Sequence, residues 1–294
     1  MNIQTWFSRN TTRLDSKLIA VTGTTGGLGQ ELCRYLASLG AKLILLDRNT
    51  DKSKRFGQEL AEHYHTDVQN MQVDLEDFTT VISVTKRLKT LPIDMFIHNA
   101  GAYSIPRRIC ETGYDNVFQI NFASPYYMIR ELLPALRTRN GRVIVVGSIA
   151  HRYSETDPHD IDFSTRKQAS KVYGNAKRYL MFALYELFRK EREVALAVTH
   201  PGITFTNITA HYPPWLFAII RHPMKVIFMK PKTACLSILR GVYEACDDCE
   251  WIGPRLFDVW GSPKKRVIRA VSKDERCRIG NSAETVYQQL RSLV

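Results

Sequence analysis

Short apolar runs such as "LILL" and "VIVV" recur along this chain, bounded by turn residues and separated by longer stretches with helical spacing. The successive runs are "KLIAVTG", "AKLILLD", "DVQNMQVD", "IDMFIHNAG", "RVIVVGS" and "VALAVTHPG", with "RLFDV" as a seventh. Continuous rather than alternating apolar runs mark strands covered on both faces, and helices between them are the crossovers of a parallel sheet. Two of those helices are expected from Leu28 to Ser38 and from Lys52 to Tyr64. The expected architecture is therefore α/β: a doubly wound parallel sheet of about seven strands with helices on both faces. No repeat or linker breaks the pattern, so residues 1–294 read as one domain.

Between the first strand and its helix lies "VTGTTGGLGQEL", with glycines at positions 23, 27 and 29. Glycine is costly inside regular structure but lets bare backbone approach a ligand. A helix N-terminus presents unpaired N–H groups and a positive dipole end, which suit a pyrophosphate. The context therefore makes Gly23, Thr25, Gly27, Leu28 and Gly29 candidate dinucleotide-binding residues on a Rossmann-type sheet. Asp47 ends the second strand, roughly 20 residues past the loop, where a carboxylate bonds the adenosine ribose. Arg48 follows it and suits a 2′-phosphate instead. Asp47 thus favours NAD and Arg48 permits NADP, which leaves the choice open. Asp74 and Leu75 close the third strand and are placed beside the adenine. Asn99, Ala100 and Gly101 close the fourth. All lie at strand carboxyl ends, the edge where open α/β sheets bind ligands.

Ser148 ends the fifth strand at the same edge, and "KVYGNAKRYLMF" places Tyr173 and Lys177 at i and i+4. On a helix the two side chains share a face, with Cβ atoms about 6 Å apart. A phenol with a pKa near 10 is a poor base at neutral pH, and a neighbouring ammonium lowers it. The pair is a candidate general acid/base.

With "TGTTGGLG", "VDL", "HNAG", Asn121 in "FQINFASP", Ser148, "YGNAK" and "HPGITFT" in this order and spacing, the chain strongly resembles the short-chain dehydrogenase/reductase family over residues 15–210. The phrases "ETGYDNVFQIN" and "GSIAHRY" look most like its retinol-dehydrogenase-like branch. The resemblance implies hydride transfer between NAD(P)(H) and a carbonyl or secondary alcohol. It implies that Tyr173 exchanges the proton, that Lys177 tunes Tyr173 and bonds the nicotinamide ribose, and that Ser148 positions the substrate oxygen. It implies that Asn121 holds a relay water, and that Pro201, Gly202, Thr204 and Thr206 lie beneath the nicotinamide or near the pyrophosphate. His98 stands where the family motif carries its first Asn. Two rival readings are a dinucleotide-binding sensor without chemistry and an epimerase or dehydratase on the same scaffold. The resemblance also allows a homodimer or tetramer.

Residues 207–232 follow the sixth strand and combine Trp215, Leu216, Phe217, Ile219 and Ile220 with Arg221, Lys225, Lys230 and Lys232. They read as a lid over an apolar, lipid-like or aromatic substrate, as core packing, or as a surface that dips into a membrane. The chain carries a net charge of +12, unevenly spread: the basic C-terminal extension over residues 263–294 has seven Lys/Arg against two Asp/Glu between Pro263 and Arg278. No nucleic-acid-binding motif accompanies that charge, so nucleic acid is not an expected partner. The six cysteines suggest neither a disulfide framework nor a metal site; "CDDC", Cys246 to Cys249, lacks a second ligand pair. His151 is placed at the pocket wall after Ser148. No secretory signal or membrane-spanning run is read, which makes a cytoplasmic location the expectation, with peripheral membrane contact allowed.

Overall fold

The structure is a computed structural model that describes residues 2–202, 229–269 and 271–294. After a short helix α1 (Ile3–Asn10), the chain runs β1 (Leu18–Thr22), α2 (Gly27–Ser38), β2 (Lys42–Asp47), α3 (Thr50–Tyr64), β3 (Val68–Gln72), α4 (Phe78–Lys89) and β4 (Met95–His98). Helix α5 (Ser124–Arg137) is entered through a helical turn (Asn116–Phe118) and a π-helical turn (Gln119–Ala123). Then follow β5 (Arg142–Val146), a 3-10 turn (Ile149–Tyr153), α6 (Ala169–Phe188), β6 (Ala195–Thr199), α7 (Leu236–Tyr243), β7 (Glu250–Leu256), β8 (Trp260–Val267) and α8 (Lys273–Arg291).

The strands form one sheet in the order β3-β2-β1-β4-β5-β6-β7-β8. All neighbours are parallel except β7 and β8. Alternation along each strand divides the core in two. Ala20, Ile44, Phe96 and Val145 meet α4, α5, α6 and α8, whereas Ile19, Leu45, Ile97 and Ala197 meet α1, α2, α3 and α7. Burial on both faces is why these strands read as unbroken apolar runs. The order reverses between β1 and β4, and the carboxyl ends on either side of that reversal diverge into a crevice.

Two expectations change at the far edge. "RLFDV" is not a seventh parallel strand: Phe257 and Asp258 adopt φ of 52° and 59° and turn the chain between β7 and β8. The eighth strand, "WGSPKKRV", escapes a sequence reading because Pro263 and its lysines look like a loop. On an edge strand, proline and lysine are ordinary. The basic segment is therefore not a loose extension. Its first part is the sheet edge, and α8 lies against α6 through Arg178–Glu275 at 2.7 Å and Arg276–Glu186 at 2.6 Å. Among the described residues, no helix is long and apolar enough to cross a membrane.

Candidate functional site

A cleft of about 900 Å³ opens along the carboxyl edge of β1–β6. Its floor is the glycine loop. Gly23 has φ of +70°, a conformation that glycine adopts without strain, and an added Cβ there would meet Ala100 Cα at 2.9 Å. Gly29 is tighter: its Cβ would lie 2.2 Å from the Gly23 carbonyl oxygen and 2.9 Å from Asn99 Nδ2. Helix α2 begins at Gly27 with Gly26 as N-cap and no side-chain cap, so its first N–H groups face the cleft unspent by any capping side chain.

Thr22 joins the loop to β4. Its hydroxyl accepts from the backbone N–H of Asn99 at 3.1 Å and of Ala100 at 3.0 Å, and sits 3.1 Å from His98 Nδ1. Asn99 donates its amide to the Thr22 and Gly23 carbonyls at 3.1 and 3.0 Å. Asn99 therefore works as a brace for the glycine turn while lining the cleft. His98 is fully buried, and burial, with help from Lys177, pushes its pKa well below the usual value.

Asp47 lines the cleft, but both its carboxylate oxygens are engaged by protein donors. Thr25 donates from its backbone N–H at 3.0 Å and its hydroxyl at 3.2 Å, Ser53 from its hydroxyl at 2.9 Å, and Thr24 from its hydroxyl. The two threonines of the loop and Ser53 thus hold this carboxylate against the glycine loop at the cleft wall, where the sequence places the ribose. Arg48 beside it is exposed and lines the cleft with Lys52, and neither has an ion pair among the described residues. Across the rim, Asp74 is raised by burial and drawn back down by the Arg48 charge. Leu75 lies alongside it.

At the other end of the cleft stand the proton-handling groups. Tyr173 and Lys177 lie one turn apart on α6, with Lys177 Nζ 5.7 Å from the Tyr173 ring centroid. Lys177 is 1% exposed and donates to the Val146 carbonyl at 2.9 Å. Burial lowers its pKa to about 7. Burial also raises Tyr173 to about 12, although a hydrogen bond with Ser148 pulls the other way. In this structure burial, rather than the Lys177 charge, sets the direction of the Tyr173 shift. Gly174 sets the distance between helix and serine loop: a Cβ there would lie 2.5 Å from the Ala150 carbonyl oxygen. Asn121 sits within the π-helical turn, a distortion that recurs at functional sites. Its amide donates to the Ala102 and Val117 carbonyls, each at 2.8 Å, so its side chain fixes the backbone around Gly101. An added Cβ on Gly101 would reach 2.9 Å from Asn121 Oδ1 and 3.6 Å from Lys177 Nζ.

Pro201 and Gly202 line the cleft below β6. Thr204, Thr206 and the expected lid up to residue 228 lie outside the described residues. His151 corrects an expectation: it is 2% exposed and turns inward, its Nδ1 2.6 Å from the Ser148 carbonyl and its ring against Trp251. Tyr103, Ile105 and Tyr153 line the cleft in its place and were missed from sequence. Tyr103 stacks edge-on to Tyr173, with centroids 5.3 Å apart at 84°. Its position two residues beyond Gly101 was the available signal.

An open parallel sheet with a glycine-floored cleft at its reversal point, and a serine, tyrosine and lysine gathered at one end, is the architecture of a dinucleotide-binding protein that can also move a proton. A family model for short chain dehydrogenase matches residues 17–216, and the chain belongs to that family. A relative from Arabidopsis thaliana, dehydrogenase/reductase SDR family member FEY, is 28% identical over 91% of this chain and 73% of its own length. Human polyprenol dehydrogenase is 26% identical over 66% of this chain, which spans 63% of that protein's length. Among solved structures, a protein of Mycobacterium Paratuberculosis superposes with a TM-score of 0.71 at 21% identity, covering 97% of this chain and 96% of that one. A short-chain dehydrogenase from Sphingobium yanoikuyae in complex with NADPH gives a TM-score of 0.61 at 18% identity, covering 95% and 96%. At these identities the structural likeness is one of fold.

The tight fit at Gly29 leads to a test. Gly29→Ala is expected to displace the loop and cost about 1–3 kcal/mol of overpacking. Dinucleotide affinity, read by fluorescence titration, is expected to fall by at least about tenfold. Unchanged affinity would show that the loop does not set the site.

Proposed function

We propose that the chain is a nicotinamide-dependent oxidoreductase that interconverts a carbonyl and an alcohol, with NADP(H) preferred and an apolar substrate. The observation that carries the reading is the meeting of Ser148, Tyr173 and Lys177 at one end of a cleft floored by the glycine loop. The residues suit the cofactor. The uncapped start of α2 fits a pyrophosphate, and the Cβ-less surface of Gly101 leaves space beside Lys177. The bound nicotinamide would supply or accept the hydride. Every other task falls to side chains of this protein. Ser148 and Tyr173 bond the substrate oxygen, and Tyr173, protonated at neutral pH, donates its proton to a carbonyl as charge develops there. Lys177, anchored by Val146, places its amine behind the phenol and carries its charge below about pH 7.

The cofactor preference rests on charge. Asp47 accepts from Thr24, Thr25 and Ser53, while Arg48 and Lys52 are exposed on the rim and make no ion pair among the described residues. A guanidinium beside the ribose favours a 2′-phosphate. The apolar substrate rests on Tyr103, Ile105, Ile149 and Tyr153 around the reactive end. Human polyprenol dehydrogenase carries a lipid alcohol in its name, which agrees with that reading.

Tyr173→Phe is expected to keep NADPH binding within about twofold and to lower carbonyl reduction by about 10²-fold or more. Reduction at the wild-type rate would exclude the assigned acid. Arg48→Ala is expected to weaken NADPH by about tenfold to hundredfold and leave NADH nearly unchanged, as loss of a charged hydrogen bond predicts. Equal loss for both dinucleotides would place the 2′-phosphate elsewhere.

A further inference from the structure

We propose that the turn between β7 and β8 is a docking surface for an anionic lipid bilayer, which sets the open end of the cleft against the membrane. Phe257 is 84% exposed and Leu256 54% exposed, side by side at the tip of the turn. Two large apolar side chains exposed next to each other form an apolar tip on the turn. The surroundings are cationic. Residues 251–269 carry five Lys/Arg against a single acid, Asp258. Asp258 is already shared by Arg152 at 2.8 Å and Arg266 at 2.6 Å. Arg255 and Lys264 are exposed and make no ion pair among the described residues. Lys265 and Arg266 are held by Glu250 and Asp258, so Arg255 beside the tip and Lys264 on β8 are the cations that, with the apolar pair, match an anionic headgroup layer over hydrocarbon.

Position gives the surface its purpose. Because β7 is parallel to β6, its carboxyl end lies at the edge that carries the cleft. The turn is tied to the end of β6 and, through Arg152–Asp258, to the serine loop. His200 Nε2 lies 3.1 Å from the Asp258 carbonyl, and an added Cβ on Gly202 would sit 2.7 Å from the Val259 carbonyl. Arg152 precedes Tyr153, which lines the cleft and is 68% exposed. A bilayer seated on Leu256 and Phe257 therefore faces the cleft mouth, and an apolar alcohol or carbonyl could pass between lipid and site without crossing water. Docking itself does not depend on the proposed chemistry, so it is measured without turnover.

The full chain is to be sedimented with vesicles of phosphatidylcholine alone and of phosphatidylcholine containing phosphatidylserine. Binding is expected to the second set, to weaken with added salt, and to fall about tenfold or more for Leu256→Ser/Phe257→Ser, as loss of two inserted side chains predicts. Arg255→Glu/Lys264→Glu is expected to lose binding by a similar factor. NADPH affinity and melting temperature of both variants are expected to match the parent, since all four side chains are exposed and outside the cleft. No binding to either vesicle set, or equal binding by parent and Leu256→Ser/Phe257→Ser, would overturn the proposal. A loss of activity in Tyr173→Phe with vesicle binding intact would leave the two readings separately judged.

Discussion

One amine held out of water organises the reactive end of this molecule. Lys177 reaches from α6 to the Val146 carbonyl, one of the bonds that join that helix to the end of β5. Burial costs the ammonium so much that its pKa falls to about 7. The same desolvation raises Tyr173 to about 12. The neighbouring groups follow from this arrangement. Gly174 lets the helix approach the serine loop, Asn121 pins the backbone opposite, and Gly101 leaves room beside the amine. A larger residue at any of these glycines would push apart parts that must touch.

The opposite end of the cleft is governed by a carboxylate. Asp47 draws the two threonines of the glycine turn and Ser53 onto itself, so it stiffens the loop from behind. Its charge is then directed at the protein. Arg48 and Lys52 stand on the rim beside it, facing Asp74 across the cleft. Two residues adjacent in sequence thus divide the labour, one structural and one facing outward.

Much of the fold was legible because parallel strands buried on both faces leave continuous apolar runs, and β1, β2, β4, β5 and β6 are where those runs stand, whereas β3 (Val68–Gln72) is a half-exposed edge strand. The antiparallel edge was not legible, because β8 has one strand neighbour and tolerates Pro263 and Lys264 where a central strand would not. Tyr173 and Lys177 could be paired from helical spacing alone. Side-chain direction could not be read: the spacing said nothing of whether Asp47 turned toward the ribose or the loop, or whether His151 faced the cleft or Trp251. The sign of the tyrosine shift was also beyond sequence, because it depends on how much solvent the closed fold removes from the phenol.

The pH dependence of both reaction directions tests the central claim most directly. With the phenol near 12, alcohol oxidation should keep rising with pH up to about pH 9 as more phenolate forms, while carbonyl reduction should fall as Lys177, near 7, loses its charge. Oxidation that levels off near neutral pH in the parent, with that plateau lost in Tyr173→Phe, would show a phenolate already present there. Desolvation would then not govern the site.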